Sequence, residues 1–119
     1  MAKKLKSRIN YMYNVYAITY NKPGVLNPIG YTDLKGAREL GYEWVTEKPR
    51  NVYEVAIFCN GYRIGAVYRG TLEFNGKVIF QTDYIGKKLL KLKYHYYILN
   101  KDGTLGKPFG PRTVKGIHY

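Results

Sequence analysis

The chain has one cysteine (Cys59), one tryptophan (Trp44) and two histidines (His95 and His118) among 119 residues. A lone thiol forms no internal disulfide, so the fold rests on packing, and a reducing, cytoplasmic setting is expected. There is no Cys pair, no His-Glu-x-x-His and no cluster of acids, so no metal or other cofactor is expected. Gly-x-x-x-x-Gly-Lys-Ser/Thr and Gly-x-Gly-x-x-Gly are both missing, which leaves nucleoside-triphosphate and dinucleotide chemistry without support. No run of eighteen apolar residues exists to span a bilayer. Met1 to Arg8 is basic, like the leading part of an export signal. However, Asn10, Asn14, Thr19 and the Tyr residues through Tyr20 interrupt the apolar stretch that such a signal needs, so no membrane role is expected.

Acids are scarce as well. Eight Asp+Glu stand against 20 Lys+Arg, for a formal charge of +12, and fourteen Tyr raise the aromatic share to 16%. A mass of 13.8 kDa supports one domain over 1–119. A charge this large opposes compaction and attracts polyanions, which points to a phosphate-bearing partner. Its distribution carries more information than its size. Residues 1–9 hold four bases and no acid, residues 10–83 hold eight bases and seven acids, and residues 84–119 hold eight bases and one acid. The middle is a near-neutral scaffold, and the basic surface belongs to the N-terminal segment 1–9 and the C-terminal third.

Residues 11–20 are rich in aromatic and β-branched side chains and predict a strand ended by Pro23-Gly24, with Val25–Gly30 as loop. Thr32 or Asp33 offers an N-cap for a two- to three-turn helix carrying Leu34, Ala37 and Leu40, with Gly41 as its stop and Glu43 to Arg50 as an irregular connection. Asn60-Gly61 between Val52–Cys59 and Tyr62–Arg69 predicts a type I′ hairpin. The register it implies pairs Cys59 with Tyr62, Ile57 with Ile64, Val55 with Ala66, and Tyr53 with Tyr68. A second Asn-Gly, Asn75-Gly76, joins Thr71–Phe74 to Lys77–Thr82, and 83–88 is a connection. A strand over about Leu89–Leu99 turns at Asn100–Gly103 into a third hairpin. From Gly106 to Tyr119 the punctuation by Gly and Pro predicts an extended arm. The expected class is α+β: a twisted antiparallel sheet of five to six strands built from hairpins, with one short helix. The alternative is a small, partly closed β-barrel.

On the last long strand, alternation assigns Leu90, Leu92, Tyr94, Tyr96 and Ile98 to a core face. It assigns Lys91, Lys93, His95 and Tyr97 to the other. With Lys87 and Lys88 just before it, this second face is a row of cations ending in rings, suited to phosphates and unpaired bases. Lys107, Arg112 and Lys115 in the arm and Lys3, Lys4, Lys6 and Arg8 at the start extend the candidate contact set. Tyr13, Tyr31 and Tyr84 are further stacking candidates beside Tyr97. A solvated sheet face, or an edge guarded by lysines, explains the same row without a ligand. The sequence matches neither the aromatic signature of an RRM nor a KH loop.

The function these features favour is nucleic-acid binding, RNA or DNA, with little sequence preference, since lysines read backbone charge and not base edges. No catalysis is expected. A metal-free ribonuclease is the one enzymatic alternative, with His95 and His118 as acid and base beside lysines. Tyr62-Arg63-Ile64 is similar to central strands of small basic ribosome-dependent ribonuclease toxins, whose long paired N-terminal helices are missing here. The main alternative to nucleic-acid binding, ahead of the ribonuclease, is a phage-type modulator that binds and inhibits a host nucleic-acid enzyme or defence effector, such as a CRISPR nuclease, in the host cytoplasm. A small anionic ligand held among Tyr and Lys is a fourth.

Overall fold

The structure is a computed structural model that describes residues 11–47, 51–70, 76–85, 92–108 and 112–114, with 83–85, 92–94 and 112–114 described by backbone alone. Among them are eight strands and one helix: β1 (Tyr13–Thr19), β2 (Lys22–Thr32), α1 (Leu34–Thr46), β3 (Val52–Cys59), β4 (Tyr62–Arg69), β5 (Val78–Ile85), β6 (Leu92–Leu99), β7 (Leu105–Pro108) and β8 (Arg112–Val114). One sheet takes them in the order β2-β1-β3-β4-β5-β6-β7, with β8 also on β6, and every pairing is antiparallel. The fold is α+β as the hairpin signals imply. The sheet is larger than five to six strands, and it does not close into a barrel.

The central hairpin shows where turn chemistry decides and where it stops deciding. Asn60 (φ 51°) and Gly61 (φ 82°) both adopt the positive φ that a type I′ turn requires. Cys59 stands opposite Tyr62 as expected. Beyond Phe58–Arg63 the register slips, so that Ile57 faces Gly65, Ala56 faces Ala66, Val55 faces Val67 and Glu54 faces Tyr68. Ile64 is the inserted residue of a β-bulge, and the expected pairs Ile57–Ile64, Val55–Ala66 and Tyr53–Tyr68 do not form. The bulge places Val67 rather than Ala66 on the core side. A Cβ on Gly65 would lie 2.6 Å from the Gln81 carbonyl oxygen and 3.2 Å from the Phe80 ring, so the bare glycine leaves room for that ring. On the opposite face Arg63 Nη1 meets Glu54 Oε2 at 2.8 Å. The pair reaches along the strands across Ala56 and Ala66, which are 1% and 0% exposed.

The helix is longer than its sequence suggests. Asp33 caps it by accepting the Gly36 N–H at 2.8 Å. It then passes through Gly41 and ends at Glu47, whose N–H donates to the Glu43 carbonyl at 2.7 Å. Gly41 is buried and is no stop: a Cβ there would sit 2.8 Å from Val67 Cγ2 and 2.9 Å from Val67 Cβ. Helix and sheet approach so closely only because that position is bare. Ala37, Gly41 and Val45 form the buried stripe. It lies on a core of Val15, Ala17, Val55, Ile57, Val67 and Phe80, with Trp44 and Tyr42 partly buried beside it. Arg69 ties the far end by donating from Nη2 to the Val45 carbonyl at 2.9 Å, satisfying an acceptor the last helical turn leaves open.

The segment expected as loop is an edge strand. Pro is tolerated there because an outward-facing position needs no N–H, so Pro23 and Pro28 sit within β2. Two register irregularities against β1 let eleven residues of β2 run beside the seven of β1. Val25 and Leu26 are 45% and 43% exposed within this irregular stretch. β5 continues through Ile85 instead of breaking at 83, and the expected strand 71–74 lies outside the described residues. The C-terminal arm is partly strand: β7 and β8 share the outer edge of β6, with Tyr97 opposite Pro108 and Leu92 opposite Val114. The β6–β7 turn, with Gly103 at φ 87°, leans on α1, where Arg38 Nε donates to the Gly103 carbonyl at 2.8 Å. No helix among the described residues is long and apolar enough to cross a membrane.

Candidate nucleic-acid interface

The described part of β6 reverses the expected division of its faces. Tyr97 stands opposite Phe80, and both belong with Leu99 (3% exposed) to the helix-covered side. Tyr96 and Ile98 take the other face, half-buried. Past His95 both faces carry aromatic or apolar side chains, Tyr97 and Leu99 on one and Tyr96 and Ile98 on the other, so the local alternation does not name the core side; Phe80 on the neighbouring strand does. Tyr97 therefore presents a ring packed against the core, not an open stacking surface. His95 shares that side by alternation, half-buried and opposite Thr82, whose hydroxyl donates to the His95 carbonyl at 3.4 Å. Lys107 is exposed on β7. Lys93 lies opposite Thr113 and Arg112 opposite Tyr94, which brings the arm's arginine beside the basic strand by backbone register. Lys3, Lys4, Lys6, Arg8, Lys87, Lys88, Lys91, Lys115 and His118 lie outside the described residues.

Topology groups these candidates by the end of the sheet and not by its face. β1, β4 and β6 start at one end, and β2, β3, β5 and β8 finish there. The register sets Tyr13 beside Thr32, Cys59 beside Tyr62, Ile85 beside Leu92 and Leu92 beside Val114. Tyr11 and Met12, which follow the basic segment 1–9, stand at this end. So do Ile85 and Leu92, which flank the connection carrying Lys87, Lys88 and Lys91, and Val114, which precedes Lys115. From β1 to β6 is four strand spacings, about 19 Å.

The same end displays aromatic surface. Tyr62 is 75% exposed, Tyr31 63%, Tyr11 59% and Met12 40%. Tyr13, one of the sequence candidates, packs partly buried against the core. Burial, reinforced by Cys59 and Tyr11, raises its hydroxyl above the ordinary tyrosine value against the opposing pull of Arg38. Tyr62 and Tyr11 lie outside the contact set that the sequence suggests. The available signal was position: Tyr62 directly follows the Asn60-Gly61 turn, so its ring must stand at the sheet's tip.

Asp33, next to Thr32, and Asp83, opposite Tyr94, lie near this end, and the other acids among the described residues sit elsewhere. Residues 33–47 hold four acids and two bases, whereas residues 77–119 hold nine bases and two acids. Glu39, Glu43 and Glu47 recur at intervals of four on the side of α1 away from its buried stripe. With Tyr42 and Lys101 they line an open groove of about 200 Å³. Arg38, between helix and sheet, has its guanidinium carbon 5.4 Å from the centre of the Phe80 ring. Burial draws it below the ordinary arginine value, against the pull of Asp33 and Tyr13. No group of three or more potential metal ligands occurs among the described residues. No protein-family model, curated protein or solved structure matches the chain.

Proposed function

We propose that the protein is a small nucleic-acid-binding domain that grips phosphates with the basic segments joined to one end of its sheet. The observation that carries this reading is the register itself: the described residues flanking three basic stretches stand at a single end, while the acids of α1 lie along the helix. Of the acids of α1, Asp33 is taken up by the helix cap at this end, and Glu39, Glu43 and Glu47 follow at intervals of four along the helix away from it. Lys91, Lys93, Lys87, Lys88, Lys115 and the lysines of 1–9 contribute affinity through backbone charge, and specificity for a base sequence is low.

Fluorescence anisotropy of a labelled oligonucleotide across about 50 to 200 mM salt tests the reading, because each neutralised phosphate releases counterion. Replacing Lys91 and Lys93 together with Gln lowers the log–log salt slope by about 1.4 on a single strand and about 1.8 on a duplex. Absence of binding at low salt overturns the proposal. A slope unchanged by the double substitution removes these two lysines from the contact.

A further inference from the structure

We infer that Tyr11, Tyr31 and Tyr62 are separate stacking positions for unpaired bases, so that the domain takes single-stranded in preference to duplex nucleic acid. This rests on the proposed function and narrows it. Three large rings, each more than half exposed, stand at the one end of the sheet to which the basic segments are joined. Tyr62 and Tyr31 are held there by local structure. Tyr62 leaves a turn whose two positive-φ residues fix its place at the hairpin tip. Tyr31 is pinned opposite Asn14, two residues before the Asp33 helix cap. Tyr11 stands two residues ahead of β1.

By alternation Tyr62 and Tyr31 belong to opposite faces of the sheet. Tyr62 shares its side with Tyr13 and Cys59, and Tyr31 shares its side with Asn14 and Phe58. A strand that uses both therefore crosses the tip of the sheet instead of lying along a face. From β2 to β4 is three strand spacings, about 14 Å, which is room for a few nucleotides. A duplex keeps its base faces stacked on one another and gives these rings little to contact. A single strand offers every face, and aromatic stacking tolerates any base.

The test uses the full chain and two probes of equal length, an oligothymidylate and a hairpin duplex, with Tyr11→Ser, Tyr31→Ser and Tyr62→Ser made singly and together. Affinity for the single strand is expected to fall about tenfold per ring. Duplex affinity, the salt slope and the melting temperature should stay near the parent values, and the Tyr→Phe counterparts should bind like the parent. If the triple variant binds the single strand as the parent does with the salt slope intact, the stacking inference falls and the proposed function stands. If neither probe binds the parent at low salt, the function falls and takes the inference with it. Equal loss on both probes with a lowered melting temperature assigns the rings to stability and overturns the inference. A parent dimer that the triple variant converts to monomer, with binding unchanged, assigns the patch to self-association and also overturns it.

Discussion

Replacing Gly41 with Ala sets two known effects against each other. In an exposed helix interior the change stabilises by about 1 kcal/mol, because glycine gives up more backbone freedom on folding. Here the new methyl would lie 2.8 Å from Val67 Cγ2, 2.9 Å from Val67 Cβ and 3.3 Å from Val67 Cγ1. Ordinary carbon contacts begin several tenths of an ångström farther out, so α1 must lift from β4 or Val67 must leave its rotamer. Overpacking of this kind costs about 1–3 kcal/mol. The net expectation for Gly41→Ala is destabilisation of roughly 1 kcal/mol. Urea unfolding followed by the fluorescence of Trp44, which packs against the same core, measures it directly. The double variant with Val67→Ala removes two of the three obstructing atoms and leaves the Cβ. Part of the penalty should then disappear, giving a favourable coupling of about 1 kcal/mol between the two sites. Stabilisation by Gly41→Ala alone, or strict additivity in the double variant, refutes the argument from close approach.

Two further outcomes follow from the turn that leans on the helix. Arg38→Gln loses the charged hydrogen bond to the Gly103 carbonyl and the contact with Phe80. A loss of about 1–3 kcal/mol is expected in chemical denaturation, with hydrogen exchange rising first at 100–104. Asp102 accepts from the Thr104 hydroxyl at 2.6 Å and from the Thr104 N–H at 3.1 Å, and chiefly the hydroxyl holds its carboxyl below the ordinary aspartate value. A carboxyl depressed in the folded state adds stability that is fully present above its unfolded value and is lost as pH falls through the folded one. The contribution therefore disappears only in acid below about pH 4. NMR titration should place Asp102 below a free aspartate, and Thr104→Val should move it back up.

The sequence was most legible where one residue type has one physical use. Asn60-Gly61 located the hairpin because few other pairs adopt positive φ twice, and Thr32-Asp33 located the helix start to within one residue, Asp33 being the cap. Signals with two uses misled. Gly41 follows an apolar repeat as a helix stop would, yet it serves as a contact surface; the continuation of the stripe to Val45 was the contrary sign. Pro23 and Pro28 argue against a central strand but not against an edge one. Gly65, a glycine inside a strand, was the only mark of the bulge that moves Val67 to the core. The candidate site was half legible. Charge segregation along the chain is visible in the sequence, but only antiparallel pairing tells which ends of which strands coincide. Tyr97 reads as exposed from alternation alone and packs against the core instead, because partner strands decide which rings are covered.

The irregular edge at Lys22–Thr32 bears on how many molecules can crowd together safely. A polyanion gathers copies of a basic protein at high local concentration, where a long, regular, exposed strand would invite ladder growth from one copy to the next. Pro23 and Pro28 offer no donor, and the shifted register against β1 offers no even template. Crowding along such a polymer should therefore stay reversible, with copies released when the polymer is digested and no fibre left behind.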